Sequence, residues 1–306
     1  DSRKIFSATL HIRQASDKLN NVNDDISNSE YLKLLRAVRS NMVNAFGKKI
    51  YSNYISIINN AGADKNRFLL ELLQNADDCI YKKDIKPTLT LTINQDILTV
   101  SYNEVGFTKD NTRAITAIGE STKKLLLNGS KDTIGEKGIG FKSVFGIADY
   151  VEIHSNGFDF KLRGEQPTVP IKIDSLQNFD GTIMKYKLKD SNVKKNFTED
   201  KILNVCLCLR NLKELNICGV KVIIEDDENA RTIIVQGKKY VFERIEYEFD
   251  VDDENALKER NANQKSVSKH QCIVCYIPPK TYKNEKLTLY SGLPVSKVEC
   301  NISLVI

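Results

Sequence analysis

Glu71, Asn75 and Asp78 stand at i, i+4 and i+7 in RFLLELLQNADDCIY (67–81), and on a helix that spacing gathers them into one polar stripe. Leu69, Leu72, Leu73, Ala76, Cys79 and Ile80 fall on the other side, while Gln74 joins the polar one. Such a stripe offers a carboxylate that accepts a proton, an amide oxygen that ligates a hard cation, and a further acceptor. It reads either as a solvated helix face or as the wall of a pocket. The stripe carries no Lys or Arg, and helix propensity disfavours Asn75 there, which weighs against a solvated face.

A second stretch, TIGEKGIGFKSVFG (133–146), crowds Gly135, Gly138 and Gly140 ahead of Phe141-Lys142-Ser143-Val144-Phe145, a run expected to open a helix. Backbone amides at a helix start, together with its positive dipole end, make an anion site, and Lys137 and Lys142 add charge. A glycine turn leading into a core helix would look the same. The spacing is neither a Walker A loop nor G-x-G-x-x-G.

The elements that must hold these stretches follow from period and turn chemistry. TLTLTI-NQD-ILTVSY alternates about a short turn and predicts a hairpin after Pro87; NEVGFTKDN is a turn containing Gly106, with a helix around Arg113 to Ile118. Residues 119–134 have the composition of a mobile lid, or of an inert surface loop. YVEIHS-NG-FDFKL predicts a second hairpin that leaves His154 on a polar surface, followed by a strand at Thr182 to Leu188 and a helix over 198–215. Further strand patterns occupy KVIIEDD, RTIIVQ, YVFERIEYEFDV and HQCIVCYI. The expected fold is α+β, a two-layer sandwich with helices on one face of a mixed, mainly antiparallel sheet. Its expected divisions are an N-terminal helical arm (1–60), in which Asn28 or Ser29 caps the second helix, a central domain (61–215), and a β-rich partial second domain (216–306).

Composition sets outer bounds. Of 306 residues, 41% are hydrophobic and 28% charged, with a formal charge of +5, which makes no case for a nucleic-acid or membrane-surface protein and leaves nucleic acid open. No apolar run approaches the roughly 20 residues of a membrane-spanning helix, nor has the start a signal peptide's apolar core, so a cytoplasmic or nuclear protein is expected. Beginning at Asp1 and stopping in NISLVI, the chain is expected to be a piece of something longer. Seven cysteines in apolar settings suit reduced thiols, and Cys272-x-x-Cys275 suits a buried strand better than a metal site.

In order, ELLQNADD (71–78), NEVGF (103–107), IGEKGIGFKS (134–143) and GT (181–182) resemble the four signatures of the GHKL ATPases, the superfamily of gyrase B, the heat-shock chaperone ATPase, histidine kinases and MutL. The wording is most similar to the sacsin and NO VEIN type of large ATP-binding proteins. The resemblance implies the Bergerat nucleotide fold, ATP and Mg²⁺ as ligands, and a lid at 119–134. It gives Glu71 the role of general base, Asn75 that of Mg²⁺ ligand, and Asp78 and Thr182 places in the nucleotide pocket. Ser121 and Thr122 would belong to the lid, and Gly106, Gly135, Lys137, Gly138, Ile139, Gly140 and Phe141 would line the phosphates. The superfamily's Asp-x-Gly-x-Gly is here Tyr102-Asn103-Glu104-Val105-Gly106, so the base-reading aspartate is missing and Asn103 is the candidate replacement. Two functions follow: slow ATP hydrolysis with lid closure driving conformational change or dimerisation of a larger protein, through the N-terminal arm for instance, or a nucleotide-gated scaffold without useful hydrolysis.

Overall fold

The computed structural model describes residues 26–61, 65–117, 141–250, 270–279, 287–290 and 294–298. Two helices come first, α1 (Asn28–Ala61) and α2 (Lys65–Asp77). The hairpin β1 (Thr88–Asn94) and β2 (Ile97–Tyr102) turns at Gln95, whose φ is 54°, and leads to the short helix α3 (Lys109–Thr116). Beyond a six-residue 3-10 turn at Phe141–Gly146 lie β3 (Ala148–Ser155), β4 (Phe158–Arg163), β5 (Gln166–Lys172) and β6 (Thr182–Leu188). After α4 (Glu199–Cys206) come β7 (Glu214–Ile217), β8 (Val220–Asp226), β9 (Ala230–Val235), β10 (Lys238–Asp250) and β11 (His270–Ile277). A separate pair, β12 (Leu287–Tyr290) and β13 (Pro294–Val298), completes the described chain.

One sheet of eleven strands takes the order β11-β10-β9-β8-β7-β1-β2-β6-β3-β4-β5. Its strands pair antiparallel except at β1–β7. The molecule is therefore an α+β sandwich, as the mixture of helical and alternating periods implies. Leu89, Leu91, Leu98, Val100, Val151, Ile153, Phe158, Phe160 and Tyr186 are buried with Phe68, Leu69, Leu72, Leu73 and Ala76 of α2. Phe68 meets the Tyr186 ring edge-on at 6.1 Å, and Tyr31 of α1 meets Phe158 at 6.3 Å. Each such side chain stabilises the fold by about 1.5–3 kcal/mol relative to exposure. The change of domain expected near residues 216–220 falls at the β7–β8 turn, and the sheet runs on through it.

Local details depart from the expectations for identifiable reasons. The N-cap of α1 is Ser27 rather than Asn28 or Ser29: its hydroxyl accepts from the Glu30 N–H while the Glu30 carboxylate accepts from Ser27, a capping box one residue earlier. Helix α2 stops at Asp77, so Ile80 lies beyond it and is 63% exposed. No α-helix follows the glycine-rich stretch; seven residues separate Gly140 from β3, and six of them form the 3-10 turn. The helix expected over 198–215 ends at Cys206 because its continuation is captured elsewhere. The N–H groups of Arg210, Asn211 and Leu212 donate to the Asp77 carboxylate, and the carbonyls of Cys206 and Leu207 accept from the Arg231 guanidinium. Strand β5, unforeseen, tolerates Pro167 and Pro170 because it lies at the sheet edge. His154 is not on the surface: it is 3% exposed, its Nδ1 lies 2.7 Å from Asp159 Oδ1, and the Phe179 ring covers it.

Candidate functional site

Helix α2 is held to the sheet by its leucines and fixed at its C-terminus by Asp77. That buried carboxylate accepts three backbone N–H bonds, each 2.8 Å, from the segment leading into β7, and Asn211 Nδ2 donates to the Asp77 carbonyl at 2.6 Å. The helix is thereby fixed in rotation, with Glu71 and Asn75 half-buried one turn apart. Asp78, just past the helix, has its carboxylate 3.2 Å from the Arg210 guanidinium. Gln74, placed on the polar side by its spacing, is buried.

The turn 103–107 is sewn down by side chains. Asn103 Oδ1 accepts from the Thr88 N–H at 2.8 Å and its Nδ2 donates to the Lys86 carbonyl at 2.9 Å, so both ends of the amide serve the start of β1. The Val105 N–H donates to the Ile80 carbonyl, and the Phe107 N–H to Ser155 Oγ at 2.8 Å. Gly106 has φ 91°, and a Cβ there would lie 2.7 Å from Asn156 Cβ; its missing side chain makes room for that neighbour.

Between these elements sits Glu104, 5% exposed. Its Oε1 accepts from Thr182 Oγ1 at 2.5 Å, and the Cys79 thiol, beyond the end of α2, is a second hydrogen-bond partner. Thr182 Oγ1 is also bonded to Ser155 Oγ. If Thr182 donates to Glu104, its oxygen accepts from Ser155, whose own oxygen accepts from the Phe107 amide: an aligned chain ending on the carboxylate. Burial raises the Glu104 pKa above the ordinary carboxylate value, against the lowering effect of the Thr182 and Cys79 bonds. Burial first, then the neighbouring Cys79 and Glu104, push the Tyr81 and Tyr102 hydroxyls upward, which keeps them neutral. Thr182 reaches this position because Gly181 precedes it: a Cβ at Gly181 would lie 2.1 Å from the Tyr102 carbonyl oxygen.

Three of the four stretches singled out in the sequence thus meet at Cys79, Glu104 and Thr182. Of the fourth, Ser121, Thr122, Gly135, Lys137, Gly138, Ile139 and Gly140 lie outside the described residues, as does the expected meeting of glycine-loop amides with Glu71 and Asn75. Phe141, partly buried against the core, opens the 3-10 turn, which packs on both α1 and α2, and Lys142 within that turn is 1% exposed. Sequence reasoning passed over Asp77, Glu104 and Ser155. The one signal for Glu104 was an acid at the place of the first glycine of Asp-x-Gly-x-Gly; for Asp77 and Ser155 the partners are too remote in sequence to be read. Among the described residues no group of three or more His, Cys, Asp or Glu side chains is placed to hold a metal, and no helix is long and apolar enough to cross a membrane.

Partial similarity to heat-shock chaperones supports a GHKL-type relation for this chain and suggests nucleotide binding. Over 97 residues, 32% of the chain, it is 52% identical to Protein NO VEIN of Arabidopsis thaliana, a stretch that makes up 3% of that protein. It is 32% identical over 128 residues to an endoplasmin homolog of Hordeum vulgare and 30% identical over 121 residues to Chaperone protein HtpG of Mesorhizobium japonicum. These matches cover 34% and 32% of the chain, and 16% and 19% of the respective relatives. No protein-family model matches the chain.

Proposed function

We propose that this chain is an ATP-binding, slowly hydrolysing GHKL module of the sacsin and NO VEIN type, acting within a larger protein. The observation that carries the reading is the convergence of the α2 terminus, the 103–107 turn and Gly181-Thr182 on one buried polar cluster. The donor set suits the ligand. Glu71 would accept a proton from the attacking water, and Asn75, a neutral amide beside it, would ligate Mg²⁺ without repelling phosphate. Bound Mg-ATP supplies the γ-phosphoryl group and the metal charge that makes it transferable. The anchoring of α2 by Asp77 holds Glu71 and Asn75 in fixed register, as a general base requires. Gly135, Lys137, Gly138, Ile139, Gly140 and Phe141 would cradle the phosphates, with Ser121 and Thr122 in a lid. Closure of that lid would drive conformational change or dimerisation through residues 1–60, in the cytoplasm or nucleus.

Equilibrium ATP binding measured beside phosphate release tests this, with Glu71→Gln as the variant. The expected result is saturable Mg-dependent binding in both proteins, with a slow release that the variant loses. Binding with no release in either protein would favour the nucleotide-gated scaffold, and no binding would overturn both.

A further inference from the structure

The tip of the β3–β4 hairpin carries a side chain that its own turn does not use. Ser155 pairs with Phe158, so Asn156 and Gly157 form a two-residue turn, with φ of 47° and 75°. Such a turn asks its first residue for a positive φ, which Asn, Asp and Gly all tolerate. The Asn156 amide is spent elsewhere: its Nδ2 donates to the Phe107 carbonyl at 3.0 Å, 49 residues away in sequence. The neighbouring Ser155 Oγ accepts from the Phe107 N–H at 2.8 Å, so the hairpin holds both polar backbone groups of one residue. Gly106 interlocks with the same tip, since a Cβ there would lie 2.7 Å from Asn156 Cβ. The tip is itself braced from behind: Asn28 Nδ2, at the start of α1, donates to the Asn156 carbonyl at 2.7 Å.

Phe107 stands where a shift is felt on both sides. Three residues before it is the buried Glu104, bonded to Thr182, and directly after it is Thr108, the N-cap of α3. The far side of the turn is held by the Val105 N–H on the Ile80 carbonyl, just beyond α2. The turn is therefore pinned between the end of α2 and the hairpin tip, and the Asn156 amide is the donor that closes the hairpin side. A site that must hold groups in register loses affinity or rate when one wall moves by even about 1 Å. We propose that Asn156 is a positioning residue of the nucleotide site: acting through Phe107, it sets the 103–107 turn against α2 and Thr182 without itself touching the ligand. This rests on the nucleotide-binding reading above.

The test is calorimetric titration of Mg-ATP into the whole chain, with thermal midpoints measured alongside, for the parent protein, Asn156→Asp, Asn156→Gly and Asp226→Asn. Both substitutions at 156 keep the φ of the turn; Asp puts an oxygen where the NH₂ stood, and Gly removes the amide. The loss of one neutral hydrogen bond corresponds to about 3- to 10-fold in affinity. Asn156→Gly should weaken Mg-ATP binding by that factor, and Asn156→Asp, which sets two acceptors against each other, by at least as much. Asp226→Asn is the control: it breaks the pairs with Arg231 and Lys213, so it should lower the thermal midpoint and leave the affinity within about twofold. Asn156→Gly decides the matter if Asn156→Asp fails to fold. Lowered midpoints with unchanged affinity at position 156, or an equal loss of affinity in Asp226→Asn, overturn the assignment and leave the nucleotide site standing. A parent that binds no Mg-ATP overturns both.

Discussion

Replacing Asp77 should show how strongly the C-terminus of α2 is tied to the rest of the molecule. Its carboxylate accepts from Asn211 N and Leu212 N through Oδ1 and from Arg210 N through Oδ2, all at 2.8 Å and shielded from water. Asp77→Asn keeps one oxygen for two of those amides but turns an NH₂ group toward the Arg210 N–H. It loses one charge-assisted bond and weakens two, a cost of about 2–4 kcal/mol. Asp77→Ala leaves all three amides without an acceptor and should cost about 3–5 kcal/mol, a large part of the 5–15 kcal/mol typical of a whole domain. Glu214→Gln is the control, since its 2.6 Å pair with Lys86 is about half-exposed on both sides. It should cost less than about 1 kcal/mol. Urea denaturation followed by circular dichroism measures all three. If Asp77→Asn proved no more damaging than Glu214→Gln, the claim that this carboxylate ends α4 early and anchors α2 would be refuted.

Gly181→Ala should destabilise the protein and weaken ATP binding together, because φ is 89° and the new Cβ meets the Tyr102 carbonyl; retention of the parent's thermal midpoint would contradict the packing described. Two carboxylates should give opposite pH responses. Asp226, although burial raises its pKa, is held below the usual aspartate value by Arg231 and Lys213, so its contribution is complete above that value and lost as pH falls through the lowered one. Asp226→Asn should therefore be less stable than the parent near neutrality, with the gap closing in acid; a gap independent of pH would count against the pairing. Glu104, raised by burial, takes up protons in the folded state, so its effect on stability becomes less favourable as pH rises from the ordinary carboxylate value through the raised one. Glu104→Gln should remove that slope, and denaturation midpoints measured across the acid range will show whether it does.

Much of the scaffold could be read from local pattern. Both hairpins stood out because strict alternation flanked short turns, and Asn156-Gly157 supplies the two positive φ angles its turn needs. The apolar face of α2 was legible for the same reason, as period 3.6 reports directly which side is buried. What local pattern missed was decided by partners distant in sequence. Leu207, Leu209 and Leu212 are buried in the segment after α4 without forming a helix, because Asp77, more than a hundred residues earlier, takes the amides that would have continued it. His154 occupies a polar slot in its strand and is nevertheless enclosed, because Asp159 and Phe179 come over it from neighbouring segments. Within the site, local pattern did not show that Asn103 is hydrogen-bonded to the Thr88 N–H and the Lys86 carbonyl, or that Glu104 beside it is buried against Thr182, since those partners lie far away in sequence.

The central claim is that Glu71 and Asn75 look onto a bound nucleotide. A crystal structure with a non-hydrolysable ATP analogue and Mg²⁺ tests it most directly. The metal should lie at the Asn75 side-chain oxygen and the γ-phosphate near Glu71. A nucleotide bound away from α2, or none at saturating concentration, would contradict it.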